Sequence, residues 1–199
     1  MKYLSIDIEA TGLAENCQMI EFAMVPFDTQ FRRLEDSLAR TVYIHCPSFE
    51  DLKDSLDPWV RDHNEKIIRK ANSEGLMLSE FKEWLEKYLT SPEVRQYFGT
   101  QKIVLFGKSM TAIDLPFLTR DLGWEFMRKY FHHRNLDLSG FGYSMIDLGL
   151  LPQGMDSGTN LMNHLGMGSV AHTALEDAKN TAIMYLKLLD KYGTKRHNN

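Results

Sequence analysis

Asp7 and Glu9 stand two residues apart in the segment Lys2-Tyr3-Leu4-Ser5-Ile6-Asp7-Ile8-Glu9-Ala10. On a strand, positions two apart point to the same face. Two carboxylates side by side on a central strand raise each other's pKa, and burial adds to the penalty. A divalent cation bound by both resolves the conflict; the plainer alternative is a strand end carrying two solvated acids. A third acid, Asp177, lies in a helical stretch beside Ala174, Ala178 and Thr181. Helical positions three and four apart share a face, so Asp177 flanks a stripe of small residues suited to close packing on a sheet. His172, five residues before Asp177, falls off that face and is expected to precede the helix, where by itself it reads as a surface histidine. Asp114 stands ahead of the apolar run Leu115-Pro116-Phe117-Leu118, and by itself reads as a helix cap.

The elements that must hold these residues follow from periodicity. Alternation predicts strands over residues 3–10, 19–27 and 38–45. Residues 57–89 turn helical, with Pro58 where a first turn tolerates it and Leu78, Phe81, Leu85 and Leu89 at helical spacing. A compact strand is expected at 102–106, closed by Gly107, then a helix over 114–122 ended by Gly123. Residues 135–138 suit a short strand, 140–149 read either way, 160–165 suit a short helix, and 174–191 form the clearest helix. Strands first, then strands alternating with helices, imply an α/β fold with a mixed five-stranded sheet flanked by helices. A single domain over 1–192 is expected, followed by a polar, disordered tail at 193–199.

The chain has 199 residues with 43% apolar and 25% charged, the balance of a soluble globular domain. The first residues, interrupted by Ser5, Asp7 and Glu9, read as a strand and not as a secretory signal. No apolar run reaches the length of a membrane span. Cys17 and Cys46 make no metal-ligand pair or disulfide framework, which suits a reducing, cytoplasmic setting. The net charge of −4 argues against a protein that coats nucleic acid by phosphate neutralisation. It is compatible with an enzyme that grips a few terminal nucleotides and recruits positive charge as metal ions.

Taken together, the segments resemble the three exonuclease motifs of the DEDDh family, which includes the proofreading subunit of bacterial DNA polymerase III, RNase T and oligoribonuclease. Asp7-Ile8-Glu9-Ala10-Thr11-Gly12-Leu13 is similar to motif I, the Asp114 segment to motif II, and His172 through Asp177 to motif III, in the family's order. In motif II, Ile113 replaces the usual Phe and the loop is longer. A further segment, Tyr130 to Ser139, resembles the F-H-Y-R-N-x-D-V-S stretch of oligoribonuclease, with His133 in place of Tyr.

The resemblance implies an RNase H-like fold and a 3′→5′ exonuclease that releases nucleoside 5′-monophosphates from the 3′ ends of single-stranded DNA or RNA. By the same resemblance, Asp7, Glu9, Asp114 and Asp177 hold two Mg²⁺ or Mn²⁺ ions and His172 is the general base. Thr11, Gly12 and Leu13 would lie against the terminal nucleotide, while Ser109, Arg134 and Ser139 are candidate substrate contacts. Asp137 is expected to cap the next helix, in preference to a metal role. Trp59, Trp84 and Trp124 can stack on bases, although core packing is the expected use of most of them. Alternatives are an oligoribonuclease-like enzyme for very short RNA, a catalytically inactive nucleic-acid-binding domain, and a metallophosphoesterase acting on free nucleotides. The oligomeric state is open, with a homodimer possible.

Overall fold

The structure, a computed structural model, describes residues 1–168 and 173–193. Its centre is the antiparallel pair β1 (Lys2–Ala10) and β2 (Met19–Asp28). The remaining strands are β3 (Arg33–Leu34), β4 (Arg40–Tyr43), β5 (Leu105–Gly107) and β6 (Leu136–Asp137). Across the sheet the order is β3-β2-β1-β5-β6, with β4 pairing β2 beyond β3 along the same edge. β1, β5 and β6 run parallel, so the sheet is mixed. It has six strands where five were expected; the additional one, β3, is only two residues long, too short to carry a period-two signal.

The helices are α1 (Phe49–Leu52), α2 (Pro58–Glu74), α3 (Leu78–Thr90), α4 (Pro92–Phe98), α5 (Asp114–Leu122), α6 (Trp124–Tyr130), α7 (Leu138–Asp147), α8 (Gly158–His164) and α9 (Ala174–Tyr192). Local chemistry sets several of their ends. The Asp57 carboxylate accepts from Trp59 N at 2.8 Å ahead of Pro58 in α2, and Glu80 reaches back to Met77 N at 2.8 Å at the start of α3. α7 resolves the stretch whose pattern read either way. α6 packs beside α5 and continues the helical run after Gly123, which sits at φ 86°.

Every residue of β2 is buried, because helices cover both sheet faces. On one face Leu4, Ile6 and Ile8 pack with Phe22, Met24, Phe81 and Leu85. On the other, Tyr3, Phe27, Phe106 and Tyr185 form an aromatic cluster under α9, with the Phe27 and Phe106 rings edge-to-face at 5.0 Å. α9 lies close because Ala174, Ala178, Thr181 and Ala182 face the sheet, and Ser5 Oγ donates to Ala178 O at 2.7 Å. Among the described residues no helix is long and apolar enough to cross a membrane, and both cysteines are free. Of the tail expected at 193–199, all but Gly193 lies outside the described residues.

Candidate active site

The face of β1 that carries Tyr3 and Ser5 also carries Asp7 and Glu9, and α9 packs over it. Asp177, in the first turn of α9, is thereby brought to the two strand acids: Asp7, Glu9 and Asp177 each offer an oxygen within 4.8 Å of the others. Thr173 caps this helix end, its Oγ1 accepting from Glu176 N at 3.4 Å. The small-residue stripe read from the sequence therefore does what its pattern implies, letting a helix approach closely enough to place a carboxylate against a strand.

Asp114 joins from the other side. β5 leaves the sheet at Gly107, where an added Cβ would sit 2.8 Å from Met110 Cβ and 3.2 Å from Ile6 O. The edge of β1 beyond that point is open, and buried Asp114 occupies it, Oδ1 accepting from Ile8 N at 3.0 Å. That amide lies between Asp7 and Glu9 in the chain. Asp114 is thus not the cap of α5; Ile113 stands at the cap position, and the carboxylate turns to the strand.

Electrostatics follow from this crowding. Burial raises the Asp7 carboxyl well above its usual range, and Asp114, Asp177, Glu9 and Glu21 add to the shift. Glu9 is pushed up to about 7 by burial, with Asp177 and Glu21 adding and a hydrogen bond from Asn64 opposing. Asp114 also reaches about 7 through burial, opposed by hydrogen bonds from its own amide and that of Ile8. Among the described residues, no ion pair engages Asp7, Glu9 or Asp114. An all-carboxylate donor set with no cationic side chain paired to those three acids suits a hard divalent cation such as Mg²⁺ or Mn²⁺.

Three residues that sequence reasoning passed over support this cluster or the turn that follows β1. Glu21 is the direct cross-strand partner of Glu9. It is buried, accepting from Thr41 Oγ1 and from Ala174 N, both at 3.1 Å, and so ties β2 to the start of α9. Its signal was a lone acid within an apolar strand. Asn64 of α2 donates to Glu9 Oε2 at 3.1 Å, and nothing in its polar neighbourhood marked it. Arg120 of α5 donates to the carbonyls of Glu15 and Cys17 at 2.8 and 2.9 Å, held in place by Asp121.

The Thr11-Gly12-Leu13 turn follows β1 directly. Thr11 is buried, and its hydroxyl accepts from Gln18 N at 2.9 Å, so it closes the turn instead of facing outward. Gly12 has φ 153°, and an added Cβ would meet Cys17 Sγ at 2.7 Å, so only glycine suits the position. Leu13 is 74% exposed. Because Arg120 clamps the far side of this turn, Arg120→Met should speed hydrogen exchange at the Thr11 and Cys17 amides, which bond Gln18 O and Ala14 O, by about tenfold. Exchange followed by NMR would check this, and unchanged rates would refute the clamp.

Ser109 and Ser139 come together, their hydroxyls 2.9 Å apart. Asp137 organises both: it accepts from Ser109 N and Ser139 N through Oδ1, and from Thr111 N and Oγ1 through Oδ2. It caps α7 as expected. Ser109 holds φ 55° without being glycine, a strained backbone that these bonds maintain. Arg134 is not brought to this pair. It is exposed ahead of β6 and lines a cavity with Met1, Lys2 and Tyr3, at the end of β1 opposite the acids. His172 lies outside the described residues.

Two of the three tryptophans depart from expected core packing. Trp124 is exposed, with the Arg128 guanidinium over its ring. Trp59, half-exposed in the first turn of α2, stacks on His63 with ring centroids 4.4 Å apart. Both occupy first-turn positions that face away from the sheet, where no core is available to cover an indole.

No family model matches the chain. An oligoribonuclease of Nitrosomonas europaea is 31% identical over 137 residues, covering 67% of this chain and 69% of that protein. An oligoribonuclease of Legionella pneumophila is 28% identical over 182 residues, covering 90% of this chain and 88% of that protein. Among solved structures, the nuclease domain of 3′hExo, a DEDDh family member bound to rAMP, superposes with a TM-score of 0.68 at 18% identity. That match covers 100% of this chain and 96% of the other.

Proposed function

Because the chain belongs to the oligoribonuclease family of the DEDDh 3′→5′ exonucleases, we propose that it removes nucleoside 5′-monophosphates from the 3′ ends of single-stranded nucleic acid with two divalent metal ions. The observation that carries this reading is the convergence of Asp7, Glu9 and Asp177 within 4.8 Å, with Asp114 on the intervening amide of β1. Asp7, Glu9, Asp114 and Asp177 hold the metal ions. Such ions, when bound, supply a water of lowered pKa and offset charge on the leaving 3′ oxygen.

The chain's own groups supply the rest. His172 takes the proton of the attacking water, histidine being the side-chain type that titrates nearest neutrality. Water adds to the scissile phosphorus as the bond to the penultimate 3′ oxygen breaks, which leaves the phosphate on the released nucleotide. Gly12 and Leu13 contact the terminal nucleotide, and the Trp59–His63 stack offers a surface against which a base packs.

A short RNA is the substrate favoured within this class, supported by the relatives named oligoribonuclease and by the Ser109–Ser139 hydroxyl pair, which can donate to a phosphate. The test is degradation of 5′-labelled single-stranded DNA, single-stranded RNA and a ribodinucleotide with Mg²⁺, Mn²⁺ or EDTA. A metal-dependent ladder shortening from the 3′ end is expected, with the ribodinucleotide cut fastest. Cleavage persisting in EDTA would remove the metal from the reading, and a preference for long DNA would remove the short-RNA assignment.

A further inference from the structure

Asn64 is buried at 2% exposure in the middle of α2, and its two ends are treated unequally. Its Nδ2 faces Glu9 Oε2 at 3.1 Å and Ala10 O at 3.4 Å. Both neighbours are acceptors, so the amide nitrogen must be the atom that faces them, and the carbonyl end is forced the other way. There, among the described residues, Oδ1 is buried without a hydrogen-bond partner. A buried acceptor left unsatisfied costs stability, and a side chain selected only to pack α2 would not carry that cost. The other residues on this face of α2 are Val60, Ile67, Ile68 and Ala71, so an apolar side chain suits the position for packing.

From this asymmetry we infer that Asn64 is a positioning residue for Glu9. Its amide engages Oε2, which fixes the carboxylate plane and leaves Oε1 for a divalent cation shared with Asp7 and Asp177. The inference rests on the metal-dependent reading above. Glu9 requires such a partner because it stands at the last regular pair of β1 before the register shift between Glu9 and Ala10. The backbone there is irregular, and among the described residues no arginine or lysine holds the side chain. Outer partners that orient a metal ligand commonly change metal affinity by about 10–100-fold.

Replacement with an apolar side chain of similar volume separates the two roles. Asn64→Leu in the full chain should weaken Mn²⁺ binding, followed by electron paramagnetic resonance without substrate, by about tenfold or more. Its melting temperature in EDTA should stay unchanged or rise, because the orphaned carbonyl is gone. Asn64→Ala, which leaves space instead of filling it, should show the same weakening of Mn²⁺ binding and keeps the test open if leucine does not fold. Wild-type Mn²⁺ affinity in both variants, or a fall in melting temperature in EDTA without change in affinity, would overturn the inference and make Asn64 a packing residue. Failure of the wild-type protein itself to bind Mn²⁺ would overturn the metal reading, and this inference with it.

Discussion

Asp7→Asn should lower metal-dependent 3′ hydrolysis by at least about 10³-fold while raising the melting temperature of the metal-free protein. The first half follows from losing one ligand of the cation that the clustered carboxylates would share: a metal site contributes several kcal/mol at the transition state, and ~4 kcal/mol corresponds to roughly 10³ in rate. The second half follows from the unfavourable charge that the cluster stores. Burial and four neighbouring acids hold the Asp7 carboxyl well above its usual range. An acid whose folded pKa exceeds its unfolded value stabilises the fold only below the unfolded pKa, and that contribution is lost as pH rises through the folded value. Above its unfolded pKa, Asp7 therefore destabilises the metal-free fold whether the buried carboxyl ionises or takes up a proton, and a neutral isostere relieves the strain on its neighbours as well. A rise of about 5 °C is expected for a chain of this size. Calorimetry in EDTA beside a single-turnover cleavage assay would measure both halves. An inactive variant with a lowered melting temperature would mean that Asp7 is a structural acid.

Divalent metal should stabilise the protein strongly at pH 8 and little at pH 5. Glu9 and Asp114 both titrate near 7, above the ordinary carboxylate range near 4. In metal-free protein, stability should accordingly fall as pH rises from about 4 to about 7, each unit of pKa elevation corresponding to about 1.4 kcal/mol. Metal binding requires the ionised forms and releases their protons, so it reverses the loss only where the acids have ionised. With Mn²⁺ at about 100 times its Kd, the gain is ~2.7 kcal/mol, or roughly 5–10 °C. Thermal melts with Mn²⁺ and with EDTA at the two pH values would check this. Equal melting temperatures with and without metal at pH 8 would remove the cation from the site.

The site's acids come from three elements that are distant in sequence, β1, α5 and α9, and the two helices are anchored to the sheet, α5 by Asp114 to Ile8 N and α9 by Ser5 to Ala178 O and Glu21 to Ala174 N. Repulsion among the carboxylates is therefore held by backbone-directed bonds, and a bound cation would turn that repulsion into ligation. The arrangement trades metal-free stability for a prepared site, as functional clusters commonly do.

The sequence by itself determined what depends on neighbours a few residues away. Period-two alternation placed Asp7 and Glu9 on one face of β1, and the stripe Ala174, Ala178, Thr181 marked the helix face that would close over them. The cap by Asp137 was also legible, because an acid ahead of a helix acts on amides next to it in the chain. The tertiary structure decided what depends on where separate elements land. Asp114 read locally as a cap, but the open edge of β1 beyond Gly107 offers its carboxylate a buried amide 106 residues away. Asn64 reaches Glu9 across 55 residues only because α2 crosses the end of β1. Arg134 sits before β6 and Ser139 after it, so a segment that reads as one contact surface is split between the two ends of the sheet. The physical reason is common to these cases. Periodicity and capping are short-range and written in spacing, whereas the pairing of buried polar groups is settled by which unsatisfied partners packing brings within hydrogen-bond reach.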